Sequence, residues 1–243
     1  MAFRRKAEPI VPEPIVSEPI VPESIVPESI VPEPESATGD ESVAHVFSRA
    51  DGPWDLAEVS DNAERIDFGA LQFTPRDGLE VQVQVDQETG QVLFVTAVLG
   101  GAAAQIHVFA APRSSGIWPE VRDEIKVGIT ASGGLVEEAT GAFGLELRAR
   151  VPQGPGSTMQ PARFVGVDGP RWFLRAILLG DAALPGDGAA AIEEVVRSVV
   201  VVRGNQAMAP REQIPLHVPG QESGSHVAGI DPFVRGPEIT EVR

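Results

Sequence analysis

Leu79-Glu80-Val81-Gln82-Val83-Gln84-Val85 places an apolar residue at every second position and a polar one between them. Side chains of an extended chain alternate between faces, so this stretch reads as a strand with one dry face and one wet face, the mark of an antiparallel sheet. Gln87-Glu88-Thr89-Gly90 supplies a turn, and Gln91 to Leu99 is apolar at both parities, hence a more central strand. After Gly100-Gly101, Ala104 to Ala110 completes a meander. Upstream, Ile66 to Phe73 is predicted as a single first strand.

The period then changes. Ile117, Val121, Ile125 and Ile129 recur every fourth residue with Glu120, Arg122, Asp123 and Glu124 among them, which predicts an amphipathic helix over Trp118 to Ala131. Ser114 or Ser115 is the expected cap, Pro119 suits the first turn and Gly133-Gly134 ends the helix. Alternation resumes at Leu135 to Thr140 and at Leu145 to Val151. Arg163 to Val167 and Arg171 to Leu179 flank Asp168-Gly169-Pro170, the expected hairpin turn. Ala189 to Ser198 reads as a second helix, leading into the apolar strand Val199 to Val202. These elements predict an α+β fold: a mainly antiparallel sheet of about seven to nine strands with two main helices on one or both faces, like an α/β/α sandwich.

The ends have a different composition. Residues 7–36 repeat a pentapeptide, Ala7-Glu-Pro-Ile-Val, Pro12-Glu-Pro-Ile-Val, Ser17-Glu-Pro-Ile-Val and onward. Proline removes a backbone donor and the glutamates repel one another, so the expectation is an extended, disordered tail, about 90 Å long at roughly 3.1 Å per residue. Its Ile-Val pairs read either as a multivalent ligand or as a spacer whose Glu and Pro guard against aggregation. The division is then a tail and linker at 1–50, one domain at 51–219 and a second loose tail at 220–243.

Composition narrows the chemistry. The absence of cysteine excludes thiol catalysis, iron-sulfur clusters and Cys-based zinc sites. A formal charge of −16 argues against nucleic acid and anionic membranes as partners. No window has the length of apolar residues a membrane span needs, and Ala7-Glu8-Pro9 stands where an export signal would place its apolar region, so the expected location is the cytoplasm. No His or Cys cluster has metal-ligand spacing, and no motif calls for a cofactor. His107 is the histidine within a predicted strand, where a packed residue is the ordinary reading. Carboxylate pairs such as Glu137-Glu138 and Glu193-Glu194 read as solvated faces.

Two segments remain as candidates. In Ala111-Pro-Arg-Ser-Ser-Gly-Ile-Trp118, Arg113, Ser114, Ser115 and the free amides at the helix start around Trp118 converge on a place for a small anion. The competing reading is a capped helix with Trp118 packed on the sheet. Around the Asp168 turn, Arg163, Arg171, Trp172 and Arg175 make a basic, aromatic hairpin suited to an acidic partner, against cross-strand pairing with Glu146 or stacking of Arg on Trp.

Asp51-Gly-Pro-Trp-Asp55, Glu64-Arg-Ile-Asp-Phe-Gly69, Phe109-Ala-Ala-Pro-Arg-Ser-Ser-Gly-Ile-Trp118, Arg163-Phe-Val-Gly-Val-Asp-Gly-Pro-Arg-Trp-Phe-Leu-Arg175, Val199-Val-Val-Val-Arg-Gly204 and Met208-Ala-Pro-Arg-Glu212 follow one another in the order of an uncharacterised actinobacterial family, domain of unknown function 3710, which the chain resembles from about Asp51 to Leu216. The resemblance implies a bacterial cytoplasmic protein and no mechanism. The succession of Trp-bearing strand, helix and apolar strand also resembles Mog1/PsbP-type folds, a likeness of topology that licenses no function. The function expected is a non-catalytic interaction or adaptor domain with another protein as partner. Two alternatives stand beside it. One is a small-anion sensor or enzyme built on Arg113, Ser114 and Ser115; the other is an accessory to nucleic-acid or nucleotide metabolism.

Overall fold

The computed structural model describes residues 49–114, 116–154 and 158–220. The pentapeptide repeat, nearly all of the linker and the tail beyond Gly220 lie outside them. Three short strands come first, β1 (Trp54–Asp55), β2 (Ile66–Asp67) and β3 (Leu71–Phe73). The single strand expected over Ile66 to Phe73 is instead a β2–β3 hairpin in which Ile66 pairs with Phe73. Gly69, at φ +85°, turns the chain, and its N–H donates to the Asp67 side chain at 2.8 Å. Glycine takes that left-handed conformation without the clash a Cβ brings.

β4 (Leu79–Val85), β5 (Val92–Leu99) and β6 (Ala102–Ala110) form the expected meander. The Asp86 carboxylate holds its first turn by accepting from Glu88 N and Thr89 N, both at 2.8 Å. Helix α1 spans Trp118–Ala131, as the four-residue recurrence predicts. β7 (Leu135–Gly141), β8 (Gly144–Pro152), β9 (Met159–Gly169), β10 (Trp172–Gly180), helix α2 (Asp187–Ser198) and β11 (Val200–Val201) follow. β4 to β10 make a seven-stranded antiparallel sheet in the order β4-β5-β6-β10-β9-β8-β7. β11 lies parallel to β1 and antiparallel to β3 in a smaller sheet, β1-β11-β3-β2. The fold is α+β.

The β9–β10 connection falls later than expected. Asp168 and Gly169 stay in the strand, paired with Phe173 and Trp172, and Pro170-Arg171 makes the two-residue turn. The proline ring suits the first turn position, and Arg171 takes the left-handed second one at φ +62°. Hydrogen bonds hold it there: Arg171 Nη2 donates to Gly204 O at 2.5 Å, and Arg171 O accepts from Ala111 N and Arg203 Nε.

Successive residues of the central strands face opposite ways. On one face, Trp172, Leu174, Ala176 and Leu178 of β10 pack with Ile106 and Val108 of β6, Phe73 of β3 and Ile192, Val195 and Val196 of α2. On the other, Phe173 packs with Ile117 and Trp118, while Phe109, Phe164, Val121 and Ile125 close around them. The helices thus lie on opposite faces of the large sheet, in the expected sandwich-like arrangement, and each covers a part of it: α2 packs on β5 and β6, α1 on β7, β8 and β9.

What fixes α1 is a carboxylate from the sheet. Its N-cap residue is Ile117, and no side-chain cap comes from the helix's own approach, contrary to the expected role of Ser114; Ser115 lies outside the described residues. Instead Asp168 of β9 accepts from Ile117 N at 2.8 Å and Trp118 N at 3.3 Å. Negative charge there also suits the helix dipole. Glycines permit the approach: a Cβ at Gly116 would collide with Asp168, and one at Gly166 with the Trp118 indole. Trp118 Nε1 donates to Leu145 O at 2.7 Å, tying the same ring to β8. Asp168→Ala is expected to lower the unfolding free energy by about 1–2 kcal/mol, with Asp168→Asn, which keeps an acceptor, losing less. Urea unfolding followed by tryptophan fluorescence reads both.

Candidate functional site

The helix start gathers fewer groups than its sequence offers. Arg113 and Ser114 are exposed, Trp118 is buried against Phe173, and the first amides are already satisfied by Asp168. An arriving anion would meet a carboxylate of its own sign. Arg171 is committed to Gly204 O, and Trp172, fully buried on the opposite face from Trp118, donates its Nε1 to Asp55 at 2.8 Å. The arginine stacked on Trp172 is Arg49, at 5.2 Å from the ring centroid, not one of the hairpin's own.

A second cluster lies on the α2 face. Arg163 of β9 is 5% exposed and Glu146 of β8 is 1% exposed, and they meet through two parallel hydrogen bonds of 3.0 and 2.7 Å. This is the cross-strand pair weighed from the sequence. Glu193 of α2, read from the sequence as solvated, completes it by accepting from Arg163 Nη2 at 2.7 Å. It stands four residues after Ala189, one step off the buried stripe of the helix, which was the available signal. Arg148 adds a 3.0 Å contact to Glu146. Burial works against the Arg163 charge, but the hydrogen bonds it donates to Glu146 and Glu193, with their negative charge, outweigh it and raise its pKa. A pocket of about 250 Å³, walled mostly by small residues such as Gly141, Ala142 and Ala189, has Arg148, Arg163 and Glu193 in its lining. The buried Arg163–Glu146 pair, with Glu193, binds strands to helix, and Arg148, whose side chain is 42% exposed, engages it through Nε alone.

The third arrangement occupies the part of the α1 face that α1 does not reach. Phe94 and Val98 of β5, His107 of β6, and Arg175, Ile177 and Leu179 of β10 are half-buried there. Arg175 is the cross-strand partner of His107. The His107 ring lies 4.8 Å from Phe94 and stacks at 6.1 Å on Phe109, and the Arg175 guanidinium sits 5.4 Å from the Phe109 centroid. Burial first, and the neighbouring Arg175 cation second, push the His107 pKa from 6.5 down to about 3. Burial alone lowers that of Arg175. The sequence showed His107 and Arg175 as strand residues; that they share one face and one row needed the register of β6 against β10. Among the described residues no group of three metal-ligating His, Asp or Glu side chains is assembled.

Removing one side of the buried ion pair leaves a charge in a dry place. Arg163→Met is expected to cost about 3–5 kcal/mol, and Arg163→Met with Glu146→Leu to recover most of that loss, in denaturant unfolding at neutral pH. His107 makes a separate, pH-dependent contribution. Below pH 6.5 the unfolded chain takes up a proton that the folded ring refuses until about pH 3, so stability falls with pH. The expected loss from this residue between pH 6.5 and 5 is about 1.5 kcal/mol, and a His107→Phe variant followed over the same range should lack it.

No helix among the described residues is long and apolar enough to cross a membrane. No curated protein matches the chain. Among solved structures, the solution structure of cyanobacterial PsbP (CyanoP) from Synechocystis sp. PCC 6803 is similar with 11% identity and a TM-score of 0.35, over 59% of this chain and 97% of that one. The family model described as protein of unknown function (DUF3710) matches residues 52–224, a span that takes in both sheets, both helices and all three clusters. The chain belongs to that family.

Proposed function

We propose that the domain is a non-catalytic protein-interaction module of the bacterial cytoplasm that docks a protein partner on the open part of the large sheet. The observation that supports this is the uneven cover of the α1 face: α1 packs on β7, β8 and β9, while Phe94, Val98, Ile177 and Leu179 on β5 and β10 stay partly exposed. Apolar surface left uncovered on a rigid element is the usual ground of a protein interface. Along the edge strand β4, Glu80, Gln82 and Gln84 face the same way and are exposed, giving the apolar area a polar rim. The competing anion site at the helix start is filled by Asp168, and the buried Arg163 is held by Glu146 and Glu193.

The test is affinity purification from native cells with three baits: the full chain, a Val98→Lys/Ile177→Glu variant and a chain lacking residues 1–48. A protein recovered with the full chain and with the truncation, but reduced about tenfold or more with the double variant, is the expected result. Thermal unfolding of the double variant must stay close to that of the parent for the comparison to count. Equal recovery with the double variant overturns the proposal, and loss only on truncation transfers the partner to the repeat.

A further inference from the structure

Acidic residues outnumber basic ones 35 to 19, and almost every arginine drawn into the domain has found an oxygen. Arg49 pairs with Glu58, Arg65 with Asp61, Arg122 with Glu138, Arg163 with Glu146 and Glu193, and Arg197 with Glu194. Arg171 and Arg203 donate to backbone carbonyls. Arg175 departs from this pattern. Among the described residues no carboxylate and no carbonyl reaches its guanidinium, and its Nε is sealed from solvent without a hydrogen-bond partner. The face of Phe109 is its compensation, and a ring quadrupole replaces only part of the hydration that a cation gives up. A half-buried cation left this way is costly unless something outside the domain answers it.

Its surroundings describe what that would be. His107, beside it across the strand pair, is neutral, so Arg175 is the single cation in the row Gln84, Phe94, His107, Arg175. One guanidinium among aromatic and aliphatic walls matches the single charge and planar fork of a carboxylate. A phosphate dianion would ask for more positive charge than the row holds, and the acidity of the whole chain opposes polyanions. Resting on the docking reading above, we infer that Arg175 receives an Asp or Glu side chain of the partner protein, whose flanking apolar residues lie over Phe94, Val98 and Ile177. The guanidinium donates to both carboxylate oxygens through its two Nη groups, where Arg163 uses Nε and Nη2 for Glu146 in the interior.

The full chain, isotope-labelled for NMR, is titrated with acetyl-Leu-Asp-Leu-amide, with its isostere acetyl-Leu-Asn-Leu-amide and with acetate. The expected result is a shift of the Arg175 side-chain Nε–H and of the Phe94, Val98 and Ile177 signals by the Asp peptide, with affinity about tenfold above the Asn peptide. In an Arg175→Met variant that preference disappears. The same variant should unfold at a temperature equal to or above the parent's, because it removes an unanswered charge; Arg175→Gln serves the same two measurements if the Met variant folds poorly. A fall in unfolding temperature in both variants would make Arg175 a structural residue and overturn the inference. Equal binding of the two peptides on this face overturns it while leaving the docking reading intact. No perturbation of the face by either peptide counts against both. Acetate shifting Arg175 as strongly as the Asp peptide overturns the assignment to a protein side chain.

Discussion

The carboxylate of Asp168 holds α1 to the sheet from the side, and the rest of the domain's arrangement depends on where it does so. A helix capped by its own preceding loop, as Ser114 would have done, leaves its direction over a sheet to side-chain packing alone. Here the cap comes from β9, some 50 residues away along the chain, so helix start and strand are joined at one point. Trp118 then lies flat over Gly166 and hydrogen-bonds to β8. Farther along, Arg122 and Lys126 meet Glu138 on β7. Anchored at β9 and drawn toward β7, α1 runs over one half of its face. On β6 only the end bearing Phe109 joins the α1 cluster, while on the other face α2 packs on β5 and β6.

Periodic elements were legible because their signal is local. Leu79 to Val85 alternates so cleanly that its bounds and its wet face follow from the residues alone, and α1 begins and ends where the apolar recurrence does. Ile66 to Phe73 was misread because its apolar residues fit one strand as well as two, and Gly69 was the only sign of the turn between them. Asp168-Gly169-Pro170 was misplaced for a related reason. Asp and Gly suit turns, but here the carboxylate is spent on a helix that local sequence cannot see, and the turn moves on to Pro170-Arg171. The ionic cluster was half legible. Arg163 and Glu146 sit on alternating strands, where cross-strand pairing is a fair guess, whereas Glu193 joins them through the seating of α2, a tertiary fact.

The fate of the arginines ties stability to function. In a strongly acidic chain carboxylates are in surplus, so an arginine drawn inward can find a partner at little structural cost, and those in this domain other than Arg175 do. Arg163 shows the full form, with a bidentate carboxylate, a second from the helix and a backbone carbonyl at 3.3 Å. Arg175 lies on the neighbouring strand but faces the other way, into a row whose other members are neutral. The contrast is therefore one of facing and not of supply.

Backbone rigidity decides what such a residue can do. Arg175 and His107 stand at the centre of adjacent strands, β10 and β6, paired along nine positions of register, and not on a loop that could turn the charge back to water. A group held in that way loses little further freedom when a partner arrives, so more of each new hydrogen bond appears as affinity. The same rigidity prevents the domain from relieving the charge itself. The open face thus differs from a loop that could carry its charged group away from the apolar residues beside it.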